Sequence, residues 1–367
     1  MRRLVVRSPP MAVVKPFRAQ RYATAAAGPL ASLVAPPYDV VDAAQRAELA
    51  ARSPYNVVHL TLPESEQEAA DAYRSWVAHG VLVDEPPAVW ALRQDYVGPD
   101  GVARRREGVV ASLTVEPYET RSVLPHERTH RGPKEERLRL LRATRVQLEP
   151  IFLLHDGPPP AVPPERPPDL AAEGASLWRL DDPAPVVEAL ESAQLLIADG
   201  HHRYETAVAF AAEEGTPDEA QLLVAVVSTR DPGLEIFPTH RVFAEPRRLD
   251  GEREPVEDAR AALATVSGSR PAVVEVTRGK AAVVRGEEGL LDVHLVDLLG
   301  HDGIAYTPDA AEAVRRVSSG EAAVAYLMRP TRIEDVFAVA RRGEVLPQKS
   351  TYFFPKLLSG LLFHPLG

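Results

Sequence analysis

The sequence predicts an α/β or α+β fold, because short apolar runs typical of buried strands alternate with segments that have the periodicity of amphipathic helices. The 367 residues are 45% hydrophobic and 26% charged, which is ordinary for a globular chain with a buried core. The 35 prolines are about twice the usual share and divide the chain with many loops. A chain of this length is sufficient for two or three domains.

The N-terminal third predicts one helix and one β-hairpin. Residues 65–79 repeat apolar side chains at helical spacing. Residues 88–97 and 102–115 have strand character, and the sequence Gly-Pro-Asp-Gly at residues 98–101 between them has good turn chemistry. We therefore expect two adjacent antiparallel strands there.

The middle of the chain continues the alternation around a proline-rich connection at residues 157–168. Its sequence, GPPPAVPPERPP, excludes a helix or a central strand, so we expect an exposed loop. The pattern on the two sides of this loop predicts, in order, helix 134–144, strand 151–154, helix 186–192, strand 195–198, a helix from about residue 202 and strand 221–228.

A new set of elements begins at about residue 256 with a helix and a strand pair around Arg278-Gly279-Lys280. Helix 308–317, strand 322–328 and helix 331–341 follow. We find no internal repeat and no heptad run. The renewed alternation indicates a distinct C-terminal segment.

The composition excludes several classes of function. The chain has no cysteine, so it has no disulfides, thiolate zinc site or cysteine catalysis, which suits a reducing cytosol. Its net charge of −10 argues against nucleic-acid binding. The first eleven residues lack the apolar run of a signal peptide, and no segment approaches the roughly 18 apolar residues of a membrane span. We therefore expect a cytoplasmic protein with no membrane or nucleic-acid partner.

The strongest functional signal is the sequence Asp199-Gly200-His201-His202-Arg203, between a short apolar strand and an amphipathic helix. The first amides of a helix lack intrahelical partners, and the helix dipole adds partial positive charge there. Gly200 allows a phosphate to approach the backbone, and Arg203 offers paired hydrogen bonds to phosphate oxygens. The two histidines add donors. These features predict a phosphate-binding turn.

A simpler interpretation of the same residues remains open. Asp199 has the chemistry of a helix N-cap, and Arg203 could be a surface charge. Two adjacent histidines and an arginine in one first turn are unusual for capping alone. That combination favours phosphate binding.

The segment from His126 to His130 matches H-E-x-x-H, the zinc-protease motif. That motif needs a continuous helix, which places the two histidines on one face. Pro125 precedes the segment and Gly132-Pro133 follows it, and no buried helix is indicated. We therefore predict that His126 and His130 hold no zinc.

Residues 343–350 nearly match a P-loop, G-x-x-x-x-G-K-S, but Gln348 replaces the second glycine. Pro347 also removes one amide that a phosphate cradle needs. A Walker site is therefore not expected. A surface lysine is the preferred interpretation of Lys349, and a lysine directed at a ligand is the alternative.

The segment from residue 126 to residue 145 is basic within an acidic protein. It contains seven arginine or lysine residues and three glutamates, which gives a local charge of +4. Most of this charge fits a solvated helix face. A basic patch that faces an anionic ligand is the second interpretation.

Several segments together resemble one bacterial and archaeal family, domain of unknown function 1015. The hallmark is Ile197-Ala198-Asp199-Gly200-His201-His202-Arg203-Tyr204-Glu205-Thr206-Ala207. The other matching segments are Ala35-Pro36-Pro37-Tyr38-Asp39-Val40-Val41, Asn56-Val57-Val58-His59-Leu60, Leu124-Pro125-His126-Glu127-Arg128-Thr129-His130, Leu148-Glu149-Pro150-Ile151-Phe152 and Lys349-Ser350-Thr351-Tyr352-Phe353. They span nearly the whole chain, so it is identified as a member of that family.

The middle of the chain also resembles free-serine kinases of the ParB/sulfiredoxin-like fold. In those enzymes a Pro-His-Glu segment precedes an Asp-Gly-His-His-Arg turn that holds nucleotide phosphates, and the glutamate activates the serine hydroxyl. The corresponding residues here are Asp199 to Arg203 for the turn and Glu127 for the glutamate. Residues 204–367 have no counterpart that aligns.

The resemblances imply an α/β (α+β mixed) architecture with a central ParB/sulfiredoxin-like nucleotide-binding domain at residues 120–245. An N-terminal α/β segment at 1–119 and a C-terminal one at 246–367 flank it, and we expect these two flanking segments to pack together.

The resemblance to kinases implies a nucleotide-dependent phosphotransferase that acts on a small hydroxyl compound such as free serine, with ADP or ATP as donor and Mg²⁺. The alternatives are a nucleotide-binding switch without kinase chemistry and, more distantly, a metallohydrolase. The assigned roles are catalysis for Glu127, Asp199 and His202, phosphate binding for Gly200, His201, His202 and Arg203, substrate contact for His126, Arg128 and His130, and Mg²⁺ binding for Asp199.

Overall fold

Two large β-sheets organise the chain in the computed structural model, which describes residues 12–127, 131–191, 193–216 and 220–366. The strands are β1 (Val14–Lys15), β2 (Gln20–Tyr22), β3 (Leu82–Asp84), β4 (Trp90–Val97), β5 (Ala103–Thr114), β6 (Val123–Leu124), β7 (Val146–Gln147), β8 (Ile151–His155), β9 (Leu170–Ala172), β10 (Ala175–Arg179), β11 (Leu195–Asp199), β12 (Gln221–Ser228), β13 (Glu235–Phe237), β14 (His240–Phe243), β15 (Glu252–Val256), β16 (Ala272–Thr277), β17 (Lys280–Arg285), β18 (Ile304–Thr307), β19 (Val324–Met328), β20 (Tyr352–Phe354) and β21 (His364–Pro365). The α-helices are α1 (Thr24–Ala27), α2 (Ala43–Arg52), α3 (Val58–Thr61), α4 (Glu66–Ala78), α5 (Arg131–Thr144), α6 (Ala184–Glu191), α7 (His201–Glu214), α8 (Ala259–Thr265), α9 (Asp292–Asp297), α10 (Ala310–Ser318) and α11 (Ile333–Arg341).

The first sheet has nine strands in the order β6-β11-β8-β12-β5-β4-β10-β9, with β1 paired to β5. The β6/β11 and β8/β12 pairs are parallel, and the other pairs are antiparallel. Every residue of β12 is buried, as its continuous apolar sequence requires of a central strand covered on both faces. Mixed pairing and helices packed on this sheet give the α/β (α+β mixed) fold that the sequence predicts.

The second sheet has six antiparallel strands in the order β15-β17-β16-β19-β14-β18. Alternate residues of its strands, such as Val274 and Val283, pack against α8 and α10 through Ala259, Ala313 and Val317. The aspartates before these two helices, Asp258 and Asp309, cap N–H groups in the first turn of each helix.

The last residues of the chain return to its beginning. Ala35 and Ser359 form a bridge, as do Gln20 and Phe363, and β21 pairs with β7. This return carries residues 346–356 past the edge of the first sheet where β6 and β11 end. The C-terminal residues therefore pack beside the edge of the first sheet where β6 and β11 end.

The predicted elements of the core are confirmed within a few residues. The hairpin is β4 and β5, and the helix predicted at 134–144 is part of α5. The strand-turn-helix around Gly200 is β11 and α7. The division expected at residue 120 falls between β5 and β6, which belong to one sheet, whereas the division near 245 falls just after β14 of the second sheet.

Among the helices of the described residues, none combines the length and apolar character that a membrane span needs.

Candidate functional site

The candidate site lies where two neighbouring parallel strands end. Val123 of β6 pairs with Leu195 of β11, and Leu124 pairs with Leu196. Parallel strands present their carboxyl ends at the same edge of a sheet, which is where ligands of such sheets usually bind. The loop that begins at Pro125 and the turn at Asp199 leave from this edge together. Two segments singled out in the sequence are therefore adjacent in the fold.

Gly200 makes the turn from β11 into α7. Its φ of +97° lies in the left-handed region, which glycine adopts without steric penalty. A Cβ at this position would lie 2.7 Å from Cγ2 of Ile151, at the start of β8. The first intrahelical bond of α7 runs from the Tyr204 N–H to the Gly200 carbonyl at 3.0 Å. The amides of residues 201–203 precede that bond and lie at the helix N-terminus, where anions commonly bind.

The carboxylate of Asp199 lies between two cations. Its Oδ2 accepts a hydrogen bond from Nη2 of Arg203 at 2.9 Å, and its Oδ1 accepts one from Nζ of Lys356. Burial raises the pKa of Asp199, but the charges of Lys356 and Arg203 outweigh burial and hold the pKa well below its usual value. Asp199 is therefore an anion at every physiological pH.

The side chain of Arg203 is directed into the protein, and the residue is only 9% exposed to solvent. Its Nη1 donates to the Pro150 carbonyl at 2.7 Å, and its Nη2 donates to Oδ2 of Asp199. The sequence interpretation expected paired hydrogen bonds to a phosphate from this guanidinium. In the structure its donors orient Asp199 and the loop before β8 instead. Arg203 thus stabilises the turn from the side that faces the protein interior.

Glu149 connects this support to segments far along the chain. Its buried carboxylate accepts hydrogen bonds from the Tyr38 N–H at 3.0 Å and from Oγ of Ser359 at 2.7 Å. Its negative charge also helps to raise the pKa of Arg203, against the lowering effect of burial. The guanidinium of Arg137 covers the Tyr38 ring at 4.2 Å. The motifs around residues 38, 149 and 203 therefore meet in one polar network.

His126 and His201 form a buried pair whose hydrogen bonds fix both tautomers. Nδ1 of His126 lies 2.6 Å from the Ile197 carbonyl, which can only accept, so this nitrogen carries the proton. Nε2 of His126 then accepts from Oγ1 of Thr351 at 2.9 Å. Nε2 of His201 accepts from the His126 N–H at 3.2 Å. Burial lowers the pKa of both residues, that of His126 to about 4, so both rings are neutral.

These contacts favour a positioning role for His126, which is 1% exposed and uses both ring nitrogens within the protein. His201 is also buried, whereas His202 is half-buried in the first turn of α7. The other two residues expected to contact substrate, Arg128 and His130, lie outside the described residues.

Glu127 lies half-buried beside this histidine pair. Burial raises its pKa, and Asp199 raises it further, while the charge and backbone N–H of Lys349 and the charge of Lys356 oppose the rise. The Leu346 N–H donates to the His126 carbonyl at 2.8 Å, which fixes the backbone next to Glu127. Glu127 is thus a carboxylate with a raised pKa near a helix N-terminus.

Two buried arginines complete the surroundings, and neither has a carboxylate partner among the described residues. Arg106 donates to Oε1 of Gln94 and to the carbonyls of Phe354 and Pro355, at 2.5–3.3 Å. Arg241 donates to the carbonyls of Thr239 and Gln348. Burial lowers the pKa of each arginine to about 10. Asp199 interacts electrostatically with Arg106, and Glu127 interacts with Arg241.

The site therefore brings several cations close to two carboxylates. Five cations act on or are acted on by two carboxylates, Glu127 and Asp199. The cations are Arg106, Arg203, Arg241, Lys349 and Lys356. The arginines also interact with other acids, namely Glu149 and Asp39 for Arg203, Asp231 for Arg106 and Asp297 for Arg241. The two lysines lie beside the carboxylates at the N-terminus of α7, where positive charge attracts an anionic ligand.

The rest of the basic segment is largely neutralised by acidic partners. Arg139 pairs with Glu66 of α4, and Arg142 pairs with Glu213 of α7. Lys134 lies 3.5 Å from Glu205. In these residues the structure favours the interpretation of a solvated helix face.

The expected Mg²⁺ site does not fit Asp199 in this arrangement. Mg²⁺ is usually bound through one or two carboxylates together with phosphates and water. Each oxygen of Asp199 already faces a cation, which would oppose a metal ion electrostatically. In the part of the chain that the structure describes, no three His, Cys, Asp or Glu residues form a group that could hold a metal.

Sequence reasoning missed Lys356, Arg106 and Arg241. Lys356 is 157 positions away from Asp199, and no local motif marks it. The matching segment Lys349–Phe353, a few residues before it, was the available signal. Residues 343–350, which nearly match a P-loop and include Lys349, therefore border the site.

Comparisons with known proteins identify a family. The model of the family described as "Protein of unknown function (DUF1015)" matches residues 14–290. No curated protein matches the chain.

Several solved structures are weakly similar. A conserved hypothetical protein from Pyrococcus furiosus is 16% identical, with 64% of this chain and 88% of that chain covered and a TM-score of 0.35. A free serine kinase in complex with AMP is 15% identical, with coverage of 63% and 83% and a TM-score of 0.37. SbnI with a C-terminal truncation, from Staphylococcus aureus, is 13% identical, with coverage of 65% and 82% and a TM-score of 0.38. Likenesses of this size identify no activity.

Proposed function

The chain belongs to the DUF1015 family of proteins of unknown function, and we propose that it is a nucleotide-dependent phosphotransferase that acts on a small hydroxyl compound such as free serine. The observation that carries this proposal is the pair of lysines, Lys349 and Lys356, beside Glu127 and Asp199 at the N-terminus of α7. Amides at a helix N-terminus and nearby positive charge are groups that bind phosphates.

The nucleotide phosphates would bind at the amides of residues 201–203, with Gly200 leaving room for their approach. A side chain at position 200 would clash with Ile151, so the turn itself depends on glycine. His202, half-buried in the same turn, is the side chain that we assign to the phosphates there. Arg203 and Asp199 hold the turn in shape from behind.

Glu127 would act as the general base. The hydroxyl oxygen of the acceptor forms a bond to the terminal phosphorus, its proton passes to the Glu127 carboxylate, and the nucleotide leaves with the electron pair of the broken phosphorus–oxygen bond. Burial raises the pKa of Glu127, which moves it towards the range in which a carboxylate serves best as a base. Because the phosphoryl transition state is loose, positioning and charge supply most of the remaining acceleration.

A nucleotide-binding switch without transfer is the second candidate. It is favoured by one observation, the junction between the site and the C-terminal part of the chain. Glu127 forms a bridge with Leu346, and Arg241 of the second sheet interacts with Glu127. A nucleotide bound here would therefore touch elements of both large sheets, as a switch requires.

One experiment separates the two candidates. The purified protein is incubated with ADP or ATP, Mg²⁺ and free serine or another small hydroxyl compound, and phosphorylated product is measured by mass spectrometry. The phosphotransferase forms product in proportion to enzyme and time. Nucleotide binding without product from any acceptor would favour the switch, and no nucleotide binding would contradict both.

A further inference from the structure

Of the two cations on Asp199, Lys356 is the one that a ligand can reach. Its side chain is 20% exposed, against 9% for Arg203, whose guanidinium also holds the Pro150 carbonyl. An ammonium group has three donors. Within the described residues, the Lys356 ammonium has one hydrogen-bond acceptor, Oδ1 of Asp199. Donor capacity therefore remains for a second anion.

The backbone that carries Lys356 is fixed by the first sheet. Arg106, 1% exposed, donates to the carbonyls of Phe354 at 3.3 Å and Pro355 at 2.7 Å. Nε2 of Gln94 donates to the Lys356 carbonyl at 3.4 Å. These donors come from β4 and β5, so the position of Lys356 does not depend on α7. A cation held in place before binding loses little freedom when it meets a phosphate.

Arg106 itself shows that this placement matters. It is a buried charge with no carboxylate partner among its described contacts, an arrangement that is expensive unless its hydrogen bonds are good. Its hydrogen bonds go to the carbonyl groups just before Lys356 and to Gln94, and the guanidinium lies 4.4 Å from the centre of the Phe152 ring. Its main effect on the site is to orient residues 354–356.

Asp199 is arranged to hold Lys356 rather than a metal. Both of its oxygens face cations, with Lys356 on Oδ1 and Arg203 on Oδ2. Lys356 also lies outside residues 14–290, the part of the chain that the family model describes. The cation is thus contributed by the C-terminal return of the chain.

We infer that Lys356, and not a metal ion bound to Asp199, contacts the phosphates of the bound nucleotide, and that Asp199 is the positioning residue that holds Lys356 towards them. This inference rests on the proposed function, because it requires a nucleotide at the N-terminus of α7. It adds that Lys356 binds a phosphate oxygen and that Asp199 positions Lys356.

Calorimetric titration with ADP tests the inference, with Mg²⁺ and with EDTA in its place. Lys356→Met should weaken ADP binding about 10- to 100-fold in both buffers, the effect of losing a charge-assisted bond. Lys280→Met, an exposed lysine in the second sheet, should bind ADP like the wild type. Asp199→Asn should weaken ADP binding by a smaller factor, and by the same factor with and without Mg²⁺.

The outcomes distinguish this inference from the proposed function. If Lys356→Met binds ADP as tightly as the wild type, the inference is wrong and the proposed function stands. A Mg²⁺ dependence that is present in the wild type and lost in Asp199→Asn would likewise overturn it. If the wild type binds neither ADP nor ATP, the proposed function fails and the inference fails with it.

A measurement on the wild type covers the case in which Lys356→Met does not fold. Lysine side chains are acetylated with and without saturating ADP, and the modified positions are quantified by mass spectrometry. Lys356 should be protected several-fold by ADP, whereas Lys280 should not. Equal labelling of Lys356 with and without ADP would contradict the inference.

Discussion

The backbone N–H of His126 donates to Nε2 of His201 at 3.2 Å, and the two rings meet edge to face with their centres 4.7 Å apart. This contact joins the loop after β6 to the first residue of α7. It keeps Glu127, the next residue, at a fixed place relative to the turn at Gly200. A contact that needs neutral rings should make the site sensitive to acid.

Folding should therefore become less stable as the pH falls from about 6.5 towards 4. Burial lowers the pKa of His126 to about 4 from a model-peptide value near 6.5, so in this range the unfolded chain binds more protons than the folded one. At pH 5 the free energy of unfolding should be about 2 kcal/mol lower than at pH 7, because the unfolded chain protonates His126 and the folded protein does not. His201 should act in the same direction.

Chemical denaturation of the wild type and of His126→Asn at pH 7 and pH 5 measures this effect. The buried histidines away from this pair, such as His155 and His364, are present in both proteins, so their contributions cancel. His201 touches His126, so any change in its titration is part of the measured difference. The wild type should lose about 2 kcal/mol more than the variant between the two pH values. Equal losses would show that His126 is not held neutral by burial.

Gly200→Ala should destabilise the fold more than Gly279→Ala. Both glycines have positive φ, +97° and +73°, so both substitutions carry a backbone penalty of about 1–2 kcal/mol. A Cβ at 200 would also clash with Ile151, whereas a Cβ at 279 would meet nothing within 4 Å. Thermal unfolding should show an extra loss of at least about 1 kcal/mol at 200. Equal losses would mean that the turn can move away from β8.

Arg203→Ala should lower the unfolding free energy by about 2–3 kcal/mol, because it removes buried hydrogen bonds to Pro150 and Asp199. Asp199 keeps Lys356 as a partner, which limits the loss. Arg342→Ala, which removes an exposed pair with Glu344, should leave stability unchanged. Denaturant titration compares them, and an Arg203 variant as stable as the wild type would contradict the supporting role.

How far the sequence predicts this site depends on which contacts are local. The strand, the glycine turn and the helix from residue 195 to about 214 follow from local periodicity and turn chemistry, and the structure contains all three. The sequence does not predict that Arg203 points into the protein, because its partner is the Pro150 carbonyl, 53 positions earlier in the chain.

Long-range partners explain the other differences. The basic residues of α5 suggested an anion-binding face, but the acidic residues that neutralise Arg139 and Arg142 come from α4 and α7. Lys356 pairs with Asp199 only because the end of the chain returns to the first sheet. Pairing between segments so far apart leaves no periodic signal in a single sequence.

Protein purified without a histidine tag should contain no stoichiometric zinc. His126 uses one ring nitrogen on the Ile197 carbonyl and the other on Thr351, so neither is directed to a metal. Metal analysis by mass spectrometry measures the content directly. Zinc at one equivalent that is lost in His130→Ala would contradict this prediction.

The rate of phosphoryl transfer in Glu127→Gln measures whether Glu127 is the general base. The variant keeps the size and hydrogen-bonding capacity of the side chain but removes the base. We expect nucleotide affinity within about threefold of the wild type and, at saturating nucleotide and acceptor, a transfer rate lower by at least about a hundredfold. A wild-type rate in the variant would contradict the assignment of Glu127 as the base, and with it the proposed mechanism.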